Sequence, residues 1–228
     1  MLKGKGILTL LQKEALRVLG SMPDIQYFYL TGGTALAEFY LGHRLSFDLD
    51  LFTTEERLPL PFSRQVEHAF AKQGWAVRVL RRFSTFVEFT VGKRGETLRL
   101  DLAVDTPFRF GEPLPTPYGV PVNDLQDLKA EKTLAYYGRA EPRDAVDLYF
   151  LLQEDSLQNL MKLAKQKDAG FDAYWFAVAL QKAEFFPDEA ERWPVKMLKP
   201  FDPRVLKKQF HMLAINILEQ TMGGKSHE

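Results

Sequence analysis

Two aspartates separated by one residue are the strongest chemical feature of this sequence. Asp48 and Asp50 lie in the short apolar run of residues 47–52. Alternate side chains of a strand share a face, so both carboxylates would point the same way and the apolar side chains the other way. Aspartate is disfavoured in strands, and paired carboxylates are hard oxygen ligands of the kind that Mg²⁺ prefers. Solvent-facing aspartates on the outer face of a sheet are the structural alternative.

A Gly-Gly-Thr sequence precedes the aspartates. Gly32 and Gly33 follow residues 27–30, a short aromatic run that we predict to be a buried strand. Without a Cβ atom, both glycines let the backbone approach a ligand closely. Thr34 opens a predicted helix over 35–41, whose N-terminal N–H groups and dipole suit a phosphate. The alternative is an ordinary turn in which Thr34 caps the helix, but the aspartates that follow favour phosphate binding.

A third aspartate is placed to join this pair. Asp101 lies in a predicted strand over 97–104, on the face opposite the leucines of that strand. It can meet Asp48 and Asp50 if the two strands are neighbours. Asp105 would share its face, but a Thr-Pro pair follows it directly, so we predict that Asp105 is a loop residue.

The loop before the aspartate pair carries Arg44 and Ser46. A guanidinium here could contact a triphosphate or pair with an active-site aspartate. It could equally form a structural ion pair that fixes the loop. His43 is predicted to be a surface loop residue rather than a ligand.

The string LTGGTALAEFYLGHRLSFDLDLF resembles the opening signature of the AbiEii/AbiGii-type nucleotidyltransferase toxins, within the polymerase-β-like nucleotidyltransferase superfamily. The superfamily pattern is a Gly-Gly or Gly-Ser turn, an Asp-x-Asp strand and a third carboxylate on a later strand. The resemblance, and not the spacing, predicts that the two strands are adjacent. It implies that Mg²⁺, or Mn²⁺, is held by Asp48, Asp50 and Asp101, and that the nucleotide is bound by Gly32, Gly33, Thr34, Arg44 and Ser46.

The resemblance continues over residues 124–152. Lys132 lies in an Ala-Glu-Lys helix, and Asp144 and Asp147 lie in an Arg-Asp-x-x-Asp-Leu segment. The resemblance implies that Lys132 faces the nucleotide and that Asp144 positions this lysine or the acceptor, so both are predicted catalytic residues. Periodicity alone would instead place Lys132 on a solvated helix face, Asp144 in a first helical turn and Asp147 opposite Arg143 at i,i+4.

The function that the resemblance implies is metal-dependent transfer of a nucleoside monophosphate from a nucleoside triphosphate to an acceptor hydroxyl. Within the family the acceptor is often tRNA, and the protein is the toxin of a toxin–antitoxin or phage-defence pair, so a separate antitoxin is an expected partner. A nucleotidyltransferase of small molecules and a nucleotide-binding protein without turnover remain alternatives.

Composition excludes several other classes of protein. The chain has 228 residues, 46% hydrophobic and 26% charged, as in ordinary globular proteins. Lys plus Arg equals Asp plus Glu at 30 each, so any nucleic-acid-binding surface must be local. The absence of cysteine excludes disulfides and thiolate metal sites. No apolar run approaches the roughly 20 residues that span a bilayer and no signal peptide is evident, so a cytoplasmic protein is expected.

These patterns predict an α+β protein: a small mixed sheet with flanking helices over 1–120, then an all-helical domain over 121–228 that closes the active-site cleft. The proline-rich residues 107–121 form the join, and residues 223–228 are expected to fray. Strands are predicted at 27–30, 47–52, 75–82, 86–91 and 97–104. Helices are predicted at 7–20, 35–41, 62–73, 124–137, 142–152, 156–167, 172–183 and 203–221.

The C-terminal third carries two further groups of residues. Basic side chains that an RNA acceptor would attract, but that solvated helices also carry, are Lys162, Lys165, Lys167, Lys196, Lys199, Arg204, Lys207 and Lys208. Aromatic residues predicted to be helical core rather than stacking platforms are Trp175, Phe176, Phe185, Phe186 and Trp193.

Overall fold

The computed structural model describes the backbone of residues 1–223 and the side chains of residues 1–221. The expected fraying of residues 224–228 therefore lies outside the described part of the chain. The chain divides into two compact units, Met1–Leu125 and Gln126–Glu228. All the named strands lie in the first unit, and the second is helical over its described residues. The predicted α+β class is confirmed.

The first unit is built on a five-stranded sheet with the order β1-β2-β5-β4-β3. Strands β2 and β5 are parallel, whereas the other neighbouring pairs are antiparallel, so the sheet is mixed as predicted. The adjacency of β2 and β5, which only the family resemblance predicted, is confirmed. The strands are β1 (Tyr29–Thr31), β2 (Leu49–Thr53), β3 (Ala76–Arg82), β4 (Phe86–Lys93) and β5 (Glu96–Val104).

One face of this sheet is apolar and buried. The leucines of β2 and β5 are buried, and Leu49 and Leu100 are fully inaccessible to solvent. Two helices, α1 (Leu10–Gly20) and α3 (Pro59–Lys72), contact the sheet and each other. A capping box between Thr9 and the third helical residue fixes the start of α1. Because helices cover the leucine face, the carboxylates of the same strands lie on the opposite face.

The structure differs from the prediction at the start of β1 and at the start of the helix that follows it. A 3₁₀ turn over Pro23–Tyr27 delays the first strand, which begins at Tyr29 rather than residue 27. A helix then begins at once: α2 (Gly32–Ala35) continues as a π-helical segment, Leu36–Leu41. The helix therefore begins at Gly32 rather than at the predicted residue 35, and Gly32 enters it at φ +70°, a conformation that glycine adopts without strain.

Up to residue 223, the second unit contains five α-helices and two 3₁₀ turns, Lys182–Phe185 and Ala190–Arg192. Phe176 and Trp193 are buried as predicted, but Trp175 and Phe185 are exposed, so the core prediction is wrong for these two. Trp175 precedes Phe176 by one residue, and adjacent helical side chains point in different directions. The helices are α4 (Leu125–Arg139), α5 (Pro142–Leu151), α6 (Leu157–Lys167), α7 (Ala173–Gln181) and α8 (Pro203–Gly223).

Among the helices described between residues 1 and 223, none has both the length and the hydrophobicity needed to cross a membrane.

Candidate active site

A row of residues in register crosses the polar face of the sheet. From β1 to β3 it runs through Thr31, Asp50, Asp101, Glu88 and Arg81. Side chains of residues directly opposite each other project from the same face, and neighbouring strands lie about 4.8 Å apart. Asp50 and Asp101 are therefore immediate neighbours on two parallel strands.

Asp48 lies just before β2, which begins at Leu49 rather than at residue 47, where the predicted strand starts. Burial is the main cause that raises the pKa of Asp101 above its usual range, and the nearby carboxylates of Glu88 and Asp48 raise it further. Arg99 opposes this rise. The structure thus places the predicted third aspartate within electrostatic reach of the first.

Arg99 is a site residue that the sequence analysis did not single out. Its Nε donates to both carboxylate oxygens of Asp101 at 3.1 and 3.2 Å, and its Nη2 donates to Asp101 Oδ2 at 2.8 Å. Nε also lies 3.3 Å from Glu88 Oε1. One guanidinium therefore balances two neighbouring carboxylates. The sequence could have indicated Arg99, since it lies two residues before Asp101 on the same strand face. The position of Glu88 opposite Asp101 follows only from the register of the β4–β5 pair.

The carboxylates suit a hard cation by their chemistry, although their side chains are not assembled around one. Within the described residues, no three His, Asp or Glu side chains form a ready-made metal site. Asp50 and Asp101 nevertheless lie opposite each other, with Asp48 beside them, and together they supply oxygen ligands for Mg²⁺ or Mn²⁺. Arg99 donates to both oxygens of Asp101, so it competes with a cation for the lone pairs of that carboxylate.

The two glycines lie directly against predicted site residues. A Cβ atom on Gly32 would lie 2.0 Å from Asp50 Oδ2. A Cβ atom on Gly33 would lie 2.6 Å from Arg44 Nη2 and 2.8 Å from Ser46 Oγ. The missing side chains therefore allow the carboxylate, the guanidinium and the hydroxyl to pack against the backbone of the first helical turn.

The remaining predicted residues of this segment are internal. Thr34 is buried, and its hydroxyl donates to the backbone carbonyl of Asp48, so it fixes the position of Asp48 rather than capping the helix. Arg44 is buried and its Nη1 donates to the Leu45 carbonyl at 3.0 Å. His43 is also buried, so its prediction as a surface residue is wrong; the loop that contains it is covered rather than exposed.

In the second unit, Lys132 pairs with Asp147 rather than facing solvent. Its Nζ lies 2.9 Å from Asp147 Oδ2, and both side chains are buried. The alternative of a solvated helix face is therefore wrong for Lys132. Arg143, the expected i,i+4 partner of Asp147, pairs with Glu141 at 3.1 Å. The predicted approach of Lys132 to the nucleotide stays a prediction.

Asp144 is also buried and held by a neighbour. The guanidinium of Arg139 donates to its two oxygens at 3.1 and 2.6 Å, an arrangement that fixes the plane of the carboxylate. The role of Asp144 in positioning Lys132 or the acceptor stays a prediction.

Several of the basic residues that would attract an RNA acceptor instead make contacts within the second unit. Lys167 is buried and its Nζ lies 2.8 Å from Asp127 Oδ1. Lys207 donates to Asp188 at 2.6 Å, and Lys165 donates to two backbone carbonyls. These contacts leave less positive charge for a ligand than the sequence suggested.

A comparison with protein families decides the assignment. The family model described as "Nucleotidyl transferase AbiEii toxin, Type IV TA system" matches residues 15–210. The chain belongs to the AbiEii family. The resemblance inferred from the Gly-Gly-Thr and Asp-x-Asp strings is thereby confirmed, and the chain is a nucleotidyltransferase toxin of a toxin–antitoxin system.

Other proteins are similar to this chain in sequence or in fold. An uncharacterised protein of Aquifex aeolicus (strain VF5) is 29% identical over 193 residues, covering 79% of this chain and 84% of its own. MenT4, a nucleotidyltransferase toxin from Mycobacterium tuberculosis H37Rv, has a TM-score of 0.63 at 18% identity, covering 92% of this chain and 82% of its own. The structure of JHP933 from Helicobacter pylori has a TM-score of 0.56 at 17% identity, covering 96% and 97%. Both structures share the fold of this AbiEii chain.

The contact between Gly32 and Asp50 can be tested with a matched pair of substitutions. Gly32→Ala places a methyl group on the carboxylate and should lower nucleotidyl transfer by about 10²-fold, because small displacements of reacting groups carry such penalties. Gly74→Ala is the control, since Gly74 has a similar φ of +75° and a Cβ added there would meet no atom within 4 Å. It should cost about 1–2 kcal/mol of stability and leave activity intact. Equal activities of the two variants would contradict the contact.

Proposed function

We propose that this protein transfers a nucleoside monophosphate from a nucleoside triphosphate to a hydroxyl group of an RNA acceptor, with tRNA as the first candidate, and that the reaction depends on a divalent cation. The strongest support is the pairing of Asp50 with Asp101 on parallel neighbouring strands. Membership of the AbiEii family supports the reaction class. The description of MenT4 as a nucleotidyltransferase toxin, together with its shared fold, agrees with this.

Asp48, Asp50 and Asp101 would hold the cation, Mg²⁺ or alternatively Mn²⁺. When bound, such a cation offsets the charge of the triphosphate and makes the attacking hydroxyl more acidic. Asp101 is the candidate base for the hydroxyl proton. Thr34 contributes indirectly, by anchoring the backbone of Asp48.

The first turn of α2 would receive the phosphates. Gly32 and Gly33 allow a close approach of ligand oxygens to backbone N–H groups. Arg44 and Ser46 lie directly against Gly33, so a guanidinium and a hydroxyl are available beside those N–H groups. A planar guanidinium matches two phosphate oxygens at once.

In the proposed nucleotidyl transfer, one bond forms and one bond breaks. The acceptor oxygen bonds to the α-phosphorus, the bond between the α-phosphorus and the bridging oxygen to the β-phosphate breaks, and pyrophosphate leaves.

Lys132 would offset the charge that accumulates on the departing pyrophosphate, as the family resemblance implies. Its pairing with Asp147 holds the ammonium in one position, and Asp144 would orient it or the acceptor. We also infer a cytoplasmic site of action and a cognate antitoxin.

Labelling of an RNA acceptor tests this proposal. The purified protein is incubated with Mg²⁺, total RNA and each of the four α-³²P-labelled ribonucleoside triphosphates in turn. We expect label in RNA with a preference for one triphosphate, and background label with the Asp48→Asn variant. Equal labelling by the wild type and the variant would show that the carboxylates are not the site.

Two further arms separate the alternatives. A nucleotidyltransferase of small molecules would label an RNA-free metabolite extract and leave RNA unlabelled. A nucleotide-binding protein without turnover would bind triphosphate tightly in a filter assay and yield no product with either acceptor pool. Either result would contradict the RNA acceptor proposed here.

A further inference from the structure

A bulge in the edge strand β3 brings two arginines to one face. Arg78 lies opposite Thr90, Arg81 lies opposite Glu88, and the register shifts between Val79 and Arg81. Residues three apart in a regular strand point to opposite faces. The extra residue of the bulge removes this alternation, so Arg78 and Arg81 project from the same face. Bulges near functional sites often redirect a side chain in this way.

That face is the one that carries the carboxylates. Glu88 lies opposite Asp101 of β5, so Arg81, Glu88 and Asp101 occupy one row across the sheet. Arg99 lies two residues before Asp101 and therefore shares its face. We call Arg78, Arg81 and Arg99 the arginine track. It extends from the candidate active site to the edge of the sheet.

The buried carboxylate of Glu88 lies close to two members of the track. Glu88 Oε2 lies 3.1 Å from Arg81 Nε, and Glu88 Oε1 lies 3.3 Å from Arg99 Nε. The Glu88 side chain is 7% exposed, whereas those of Arg81 and Arg99 are 65% and 47% exposed. Because guanidinium groups that lie beside a carboxylate on one side and are open to solvent on the other can receive phosphate oxygens, Arg81 and Arg99 can bind anions from the solvent side.

We propose that the arginine track binds the phosphodiester backbone of the RNA acceptor and directs its reactive hydroxyl to Asp50 and Asp101. This rests on the proposed function and identifies the surface that receives the acceptor. Strands β5 and β3 are two spacings apart, about 10 Å, so the track is too long for a single phosphate and suits successive phosphates of a chain. The net charge of the protein is zero, so RNA binding requires local positive charge, and Arg78 and Arg81 bring such charge to the edge of the sheet.

Equilibrium binding of fluorescently labelled total tRNA tests the track without requiring catalysis. The double variant Arg78→Ala/Arg81→Ala removes two members and spares Arg99, whose loss would disturb Asp101 directly. We expect binding to weaken about tenfold at low salt, because charge-assisted contacts are lost. The slope of log affinity against log salt concentration should fall in magnitude by about 0.7–0.9 for each lost phosphate contact.

The double variant Arg82→Ala/Arg94→Ala is the matched control. It removes the same charge from the same sheet, but Arg82 lies opposite Val87 on the apolar face, where it pairs with Glu67. Arg94 lies in the hairpin turn and pairs with Glu14. We expect this control to bind tRNA with wild-type affinity and salt dependence.

The outcomes separate the track from the proposed function. If Arg78→Ala/Arg81→Ala binds tRNA like the wild type, or if the control weakens binding as much, the track is wrong. Absence of tRNA binding by the wild type overturns it as well. Labelling of RNA by the wild type reports on the proposed function independently, and there we expect the variant to raise the KM for RNA and not that for the triphosphate. A rise confined to the triphosphate would contradict the track.

Discussion

The Asp50→Asn variant is expected to transfer nucleotide about 10³-fold more slowly than the wild type. Asparagine preserves the size of the side chain that packs against Gly32, but it removes the negative charge. Loss of a metal-holding carboxylate opposite Asp101 should cost several kcal/mol of transition-state stabilisation. Single-turnover rates with labelled triphosphate and RNA measure this loss directly.

Asp105→Asn is the control for removing a carboxylate from the end of this sheet. Asp105 follows β5, as a loop residue should, and accepts a hydrogen bond from the Tyr29 hydroxyl at 2.7 Å. An amide oxygen can still accept this bond, so we expect a rate within about twofold of the wild type. An Asp50→Asn variant that retained more than a tenth of the wild-type rate would exclude Asp50 from the metal site.

Replacing Lys132 by methionine is expected to lower the free energy of unfolding by about 3–5 kcal/mol, because it leaves the buried charge of Asp147 without this partner. Urea denaturation followed by circular dichroism measures the change. Lys129→Met provides the comparison: the Lys129–Asp155 pair is partly exposed, at 13% and 16%, against 9% and 0% for Lys132 and Asp147. Its loss should cost only about 1 kcal/mol.

The double variant Lys132→Met/Asp147→Asn separates stability from chemistry. Because it removes both charges, it should recover most of the stability lost in Lys132→Met. A stable double variant that does not transfer nucleotide would support the predicted catalytic role of Lys132. A stable double variant with the wild-type rate would reject that role and leave the lysine a structural residue.

The alternation of residues was enough to predict the faces of single strands. It placed Asp101 opposite the leucines of β5, and Leu100 is fully buried as that pattern requires. It could not predict which strands pair, because the parallel neighbours β2 and β5 are separated by α3 and by the two strands between them in the chain. That adjacency came from the family resemblance, and with it came the meeting of Asp50 and Asp101.

Features that depend on exact register were missed. Glu88 joins the site only because Lys93 pairs with Glu96 across a shorter turn than predicted. The bulge that redirects Arg81 arises where the polar–apolar alternation of β3 fails, and such a failure alone does not show which residue is extra. Burial of Lys132 was missed for a different reason: helical periodicity treats a lysine as a surface residue, whereas a facing aspartate can make it an internal one.

The most direct test of the central claim is a crystal structure with Mn²⁺ and a non-hydrolysable nucleoside triphosphate, in which anomalous scattering locates the metal. We expect Mn²⁺ to be coordinated by carboxylate oxygens of Asp48, Asp50 and Asp101. Mn²⁺ bound to the triphosphate without any ligand from Asp50 or Asp101 would contradict the assignment of this site.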